Sequence, residues 1–195
     1  DHLYFVVDGG NYSCKSRLFG SKNSMGPDDH SQDLKRLIQA ASGRAHRITV
    51  IMPLLYGSRK HRRTYRESLD CAYALQELQS MGVANIITFD AHDPRVSNAV
   101  PLMGMDHVMP TYQVMKAMFK HIPDFKPTPD SFMVISPDEG AINRNMYYAS
   151  VLGVNLGMFY KRRDYSRVVN GRNPIVAHEY LGESVEGQDV FIADD

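Results

Sequence analysis

Cysteine is scarce in this 195-residue chain. Cys14 and Cys71 are too few to staple a disulfide framework, and a reducing cytoplasm is the simplest setting for them. An excess of one charge is also missing. Lys plus Arg number 22 and Asp plus Glu number 22, so no net field draws nucleic acid or an anionic membrane, and any anion site must be built from local clusters. Long apolar runs are absent too: none nears the ~20 residues needed to span a bilayer, and no secretory signal is visible. Neither GxGxxG nor GxxxxGK followed by Ser or Thr occurs, so dinucleotide-binding and P-loop kinase readings have no support.

What is present is an alternation. Runs rich in Val, Ile and Phe at 3–8, 47–55, 85–91, 131–137, 155–161 and 190–194 alternate with helix-like segments at 30–42, 66–81, 111–121 and 140–152. That pattern predicts an α/β fold with mainly parallel sheets flanked by helices. Pro174 to Tyr180 reads as a further extended segment. Asp28, Asp29 or Ser31 is placed to cap the first helix, and Gly82 sits where a helix should stop. Gly9 to Pro27 holds four Gly and reads as a long loop, while the break from Val100 to Pro110 predicts a domain boundary, giving units 1–105 and 106–195. The Met-rich stretch from Met103 to Met118 and the pair Tyr147 and Tyr148 read as packing residues. The chain opens directly on Leu3 to Val7 and stops on Asp194–Asp195 just after another strand-like run, so both ends are expected to be cuts in a longer protein.

Four of the strand-like runs end in acid: Asp8, then Asp90 with His92 and Asp93, then Asp138, then Asp194–Asp195. In open α/β sheets ligands bind outside the carboxyl ends of the strands. Acids repeated along that edge suit a divalent cation or ribose hydroxyls, although each Asp taken singly could merely cap a turn. His92, set between two carboxylates, is a candidate for metal contact or charge pairing. Two cationic clusters follow other runs, Arg59-Lys60-His61-Arg62-Arg63 and Lys161-Arg162-Arg163. A polyanion such as a triphosphate relieves the repulsion inside such clusters, and a solvated surface loop is the alternative.

In order, these segments resemble the ribose-phosphate pyrophosphokinase (PRPP synthetase) family. Met52-Pro53-Leu54-Leu55-Tyr56-Gly57-Ser58-Arg59 is similar to its proline-containing strand end and Arg-Gln-Asp ATP segment, and Gly82 to His92 to its "GxxxIITxDLH". Val134 to Gly140 is similar to "VVSPDxGG", Tyr160 to Arg163 to the "KxR" opening its catalytic loop, and Gly182 to Asp195 to "GDVxGKxxxxVDD". The resemblance implies two phosphoribosyltransferase-like domains and transfer of diphosphate from MgATP to C1 of ribose 5-phosphate. It implies ATP contacts from Arg59, Lys60 and His61, Mg²⁺ at His92 and Asp138, and charge stabilisation by Lys161 and Arg163. Asp194 and Asp195 would begin the loop for ribose 5-phosphate, and the protein would be a cytoplasmic homo-oligomer, a dimer or hexamer.

The departures are specific. The family's Gln and Asp after the first Arg are Lys60 and His61, a later Asp is Thr64, the second Gly of "PDxGG" is Ala141, and a Lys is Asn143. A divergent member is therefore expected, with the family's phosphate-binding turn lacking after Asp195 and the 195-residue piece expected to be inactive by itself. A non-catalytic subunit that regulates synthetases, or a phosphoribosyltransferase-type enzyme sharing only the fold, are the competing readings.

Overall fold

A computed structural model describes residues 1–163, 166–169 and 175–194. The chain divides into two compact units, Asp1–Pro110 and Thr111–Asp195.

The first unit is built on a four-stranded, wholly parallel sheet in the order β1-β4-β5-β6. Its strands are β1 (His2–Val6), β4 (Arg47–Ile51), β5 (Val83–Phe89) and β6 (Gly104–Val108). Helix α1 (Pro27–Ala41) starts with Pro27 in its first turn, and the Asp29 carboxylate reaches back to the Gly26 N–H at 2.8 Å. Gly26 is thus the capping residue, and Asp29 completes the cap from inside the helix. Helix α2 (Asp70–Ser80) buries Cys71, Leu75 and Leu78, one stripe at helical spacing, and stops where Gly82 takes φ +91°. The stripes of both helices meet Ile48, Val50, Met52 and Ile86 in one core. The opposite face of the sheet carries exposed Tyr4, Val6, Phe89 and Val108.

Two elements escape the sequence pattern. Within the expected loop 9–27 stands a hairpin, β2 (Lys15–Leu18) with β3 (Ser21–Ser24), turned by Phe19 and Gly20 at φ +48° and +81°. Two positive φ values match the twist of a tight hairpin, but Phe supplies none of the Asn-Gly signal that marks such a turn. β6 lies in the expected break at 100–110 because its Gly-Met-Asp-His-Val alternates polar and apolar residues. β6 pairs with β5 from Asn85–Gly104 to Phe89–Val108, and the first compact unit runs to Pro110. The expected helix at 66–81 begins only at Asp70, which accepts a hydrogen bond from Ser68.

The second unit holds the sheet β10-β7-β8-β9. β7 (Phe132–Ser136) runs parallel to β8 (Asn155–Arg163) and to β10 (Asp189–Ile192), while β9 (Ile175–Leu181) is antiparallel to β8. β7 is buried along its whole length, as its unbroken Phe-Met-Val-Ile-Ser demands. α3 (Thr111–His121) and α4 (Ile142–Leu152) contribute Met118, Tyr148 and Ala149 to the core, with Tyr148 edge-on to Phe191 at 5.1 Å. Of the tyrosine pair, only Tyr148 packs; Tyr147 is exposed, because neighbours on a helix point apart.

Burial removes Cys71 from solvent and pushes its thiol up to about 11, whereas Cys14 is exposed. Thiol titration of the native protein at pH 8 should therefore count one fast cysteine, with the second appearing only in denaturant. Leu75, fully buried, should cost about 2–5 kcal/mol when replaced by Ala, measured by chemical unfolding.

Candidate functional site

In the first unit, parallel pairing carries the ends of β1, β4 and β5 to one edge. After β4 the chain turns at Gly57, whose φ is +68° and whose missing Cβ would meet the Cys71 nitrogen at 3.2 Å. Only glycine accepts both the conformation and the approach. The turn closes with Lys60 N–H on the Gly57 carbonyl at 2.8 Å, and the Lys60 carbonyl accepts from Cys71 N–H at 3.4 Å. Arg59 and Lys60 are thereby presented to solvent, as are Arg62 and Arg63, but His61 folds inward.

What draws His61 in is a carboxylate. Its Nε2 lies 3.4 Å from Asp93 Oδ2, and both side chains are largely buried. Asp93 heads the 3-10 helix Pro94–Ala99, where its Oδ1 accepts from Arg95 N–H at 3.0 Å and from Arg95 Nε at 2.9 Å; its Oδ2 accepts from Arg95 Nη2 at 2.6 Å. The hydrogen bonds from the Arg95 side chain hold the Asp93 carboxyl well below the usual carboxylate range. His92, exposed, presents its ring 5.2 Å from that of His61 at an interplanar angle of 59°. Between them and β5, Asp90 sits at φ +41°, an uncommon conformation for a side-chain-bearing residue. The sequence pattern sets His92 between two acids; the structure commits the Asp93 carboxylate to Arg95 and His61. Asp8, at the end of β1, is exposed.

In the second unit, β7 and β10 are neighbours in register, so Asp138 and Asp194 follow adjacent strand ends. Asp138 Oδ1 accepts from the N–H groups of Gly140 and Ala141 at 2.9 and 3.2 Å, ordering the loop into α4. Asp138 thus fills the turn-capping role that the sequence leaves open, with its carboxylate set at the start of a helix. Asn145, fully buried, clamps the other strand: its Nδ2 donates to the Ala193 carbonyl at 2.8 Å and the Ala141 carbonyl at 2.9 Å, while its Oδ1 accepts from Ala193 N–H at 3.2 Å. The residue that follows, Asp194, lies 3.9 Å from Arg144 Nη1. Lys161 and Arg163 occupy β8 opposite His178 and Ile175, with Arg162 between them paired to Glu179 at 3.1 Å. The side chains of Lys161 and Arg163, and Asp195 altogether, lie outside the described residues. Among the described residues no three His, Cys, Asp or Glu gather as a metal cluster.

Sequence reasoning misses Asn145 and gives Asp93 no role of its own. The only signal for Asn145 is a polar residue on the buried face of α4; for Asp93, it is the Asp-Pro that opens a helix.

The comparisons converge. A family model described as the N-terminal domain of ribose phosphate pyrophosphokinase matches residues 16–82. The ribose-phosphate pyrophosphokinase of Chlorobaculum tepidum is 26% identical over 182 residues, 92% of this chain and 52% of that protein. That of Staphylococcus aureus is 26% identical over 168 residues, 85% of this chain and 49% of that protein. The chain spans about half the length of these curated relatives. The crystal structure of phosphoribosylpyrophosphate synthetase from Mycobacterium smegmatis superposes with a TM-score of 0.65, covering 91% of this chain and 67% of that one at 18% identity, which carries the fold.

Two outcomes follow from the geometry. Gly57→Ala should destabilise the first unit by about 1–3 kcal/mol in denaturant melts, because φ is positive and the backbone of α2 is in the way. Arg95→Ala should let the Asp93 carboxyl rise toward its ordinary range, read by carbon NMR of the side chain. A folded pKa below the unfolded one stabilises above the unfolded value and loses that effect as pH falls through the folded value. The stability difference between Arg95→Ala and the parent should thus be present at neutral pH and shrink in strong acid.

Proposed function

We propose that this chain belongs to the ribose-phosphate pyrophosphokinase family and that the whole protein transfers diphosphate from ATP to O1 of ribose 5-phosphate, giving PRPP and AMP. The observation that carries this reading is that the segments resembling the family fall at the carboxyl edges of parallel strands in both units, in the family's order. The ribose C1 hydroxyl oxygen attacks the β-phosphorus, and the bond to the oxygen bridging α- and β-phosphorus breaks to release AMP. Little covalent work falls to the protein, so catalysis consists of positioning and charge stabilisation.

In that scheme exposed Arg59 and Lys60 hold the phosphates of ATP, with His61 beside them on the inner side of the same turn. Lys161 and Arg163, on β8, supply cations to the transferred group. Asp194, at an edge fixed by Asn145, meets the ribose hydroxyls together with Asp195. His92 in the first unit and Asp138 in the second are each proposed as a Mg²⁺ contact. A hard, octahedral cation that keeps water and phosphate ligands needs few protein oxygens, which suits the Asp138 carboxylate; the role of His92 rests on the resemblance alone. The ion supplies neutralisation of phosphate charge when bound. A cytoplasmic homo-oligomer belongs to the same proposal. One observation favours the second reading, a regulatory subunit: the family's Gln and Asp are replaced by Lys60 and His61, with His61 drawn into a pair with Asp93.

The test is AMP formation from ATP by the full-length gene product, dependent on ribose 5-phosphate and Mg²⁺. Lys161→Ala should lower kcat about 10²- to 10³-fold. Absence of AMP, with retained binding to an active synthetase, would decide for the regulatory reading.

A further inference from the structure

Among the described residues, the hairpin of β2 and β3 contributes nothing to either core. Every one of its strand positions is exposed. A two-stranded ribbon gains little by itself in water, and this one carries two further costs. The first is charge. Residues 9–26 hold Lys15, Arg17 and Lys22 and no Asp or Glu. The ladder sets Arg17 directly opposite Lys22, and Lys15, two residues back, shares their face. Like charges opposed across a ladder repel, and among the described residues no carboxylate pairs with any of the three. The second cost is the tip. Phe19 takes φ +48° and is 99% exposed, so its ring packs on nothing in the chain. Asn before Gly20 makes the same turn with less strain and no apolar surface. Leu18, next to it, is exposed as well.

One kind of surface relieves both costs. An anionic bilayer offers negative charge at its face and an apolar interior behind it, in the order in which the hairpin presents its residues. Leu18 and Phe19 lead at the apex, Arg17 and Lys22 follow, and Lys15 stands about 7 Å farther back. A nucleic acid answers the cations less completely. Bases stack on rings that lie along a cationic groove, whereas this ring sits at the apex and Leu18 has no face to stack. We propose that the hairpin is a peripheral membrane-binding element: Leu18 and Phe19 insert into an anionic bilayer while Lys15, Arg17 and Lys22 lie on its headgroups. The contact is reversible, since a few side chains at an interface hold far less than a spanning segment, and no described helix is long and apolar enough to cross. It is also separate from the transferase reading, which assigns none of these residues to ATP or ribose 5-phosphate.

The experiment is co-sedimentation of the 195-residue chain with vesicles of phosphatidylcholine, with and without phosphatidylserine. The parent should partition onto the phosphatidylserine vesicles only, and added salt should release it. Phe19→Asn keeps the turn, because Asn-Gly is the favoured pair there, and removes the ring; it should weaken partitioning about 10-fold. The double variant Arg17→Gln, Lys22→Gln should weaken it about 10- to 30-fold. Depth is read separately. The chain has no Trp, so Phe19→Trp places a single reporter at the tip, and its emission should shift to shorter wavelength on phosphatidylserine vesicles. Circular dichroism should be the same for every variant, since the replaced side chains are exposed. Absence of partitioning by the parent, equal binding to neutral vesicles, indifference to Phe19→Asn, or an unshifted Trp emission overturns the proposal. Phe19-dependent binding to single-stranded poly-uridine RNA, with none to vesicles, overturns it in favour of a nucleic acid.

Discussion

Parallel pairing is the constraint on which everything else depends. Because β1, β4, β5 and β6 run the same way, with a single register shift between Ile48 and Thr49 against β5, every one of them must end at the same edge. Whatever the chain writes just after a strand is delivered there: Asp8 after β1, the Gly57 turn with its cations after β4, Asp90 to Asp93 after β5. The second sheet does the same with Asp138 and Asp194 after β7 and β10. A shift of one residue in any ladder would exchange the core and outer faces of that strand, so the burial of Ile48, Val50 and Ile86 also fixes where the polar ends fall. The chemistry of the edge is thus held by the hydrophobic pattern some distance from it.

Charge at that edge is managed in pairs. The chain has no net charge to lend, and repeated carboxylates at one edge repel. Arg95 answers Asp93 and Arg144 faces Asp194, each from a residue within or beside the helix that follows a strand. Such local pairing leaves the surface field small while keeping individual groups strongly oriented.

Much of the fold was legible in the sequence because burial on both faces writes unbroken apolar runs. Arg47–Ile51 and Phe132–Ser136 declare themselves in this way, and the helix Thr111–His121 does so by the helical spacing of its apolar residues. β6 does not, since an edge strand has one wet side and reads as punctuation. The hairpin at Lys15–Ser24 is polar on both strands and has no core to signal. Within the site, the cations and His92 were visible as residue types placed after strands. The roles of Asp93 and Asn145 were not, because both act through contacts distant in the chain: Asp93 reaches His61 and Asn145 reaches Ala193. Pairings of that kind leave no periodicity to read.

The hairpin has a practical side. Its ladder is a two-stranded sheet of its own, and its root is tied down by His30 on the Asn11 carbonyl and by Met25 N–H on Cys14. Phe19 at the tip is 99% exposed. The chain therefore carries a built-in attachment point, an exposed thiol at the base of an appendage that the main sheets do not include. A dye or tether fixed at Cys14 would report from beside the strand edge without entering either core, and a peptide tag spliced between Phe19 and Gly20 would hang from the molecule like a label from a string.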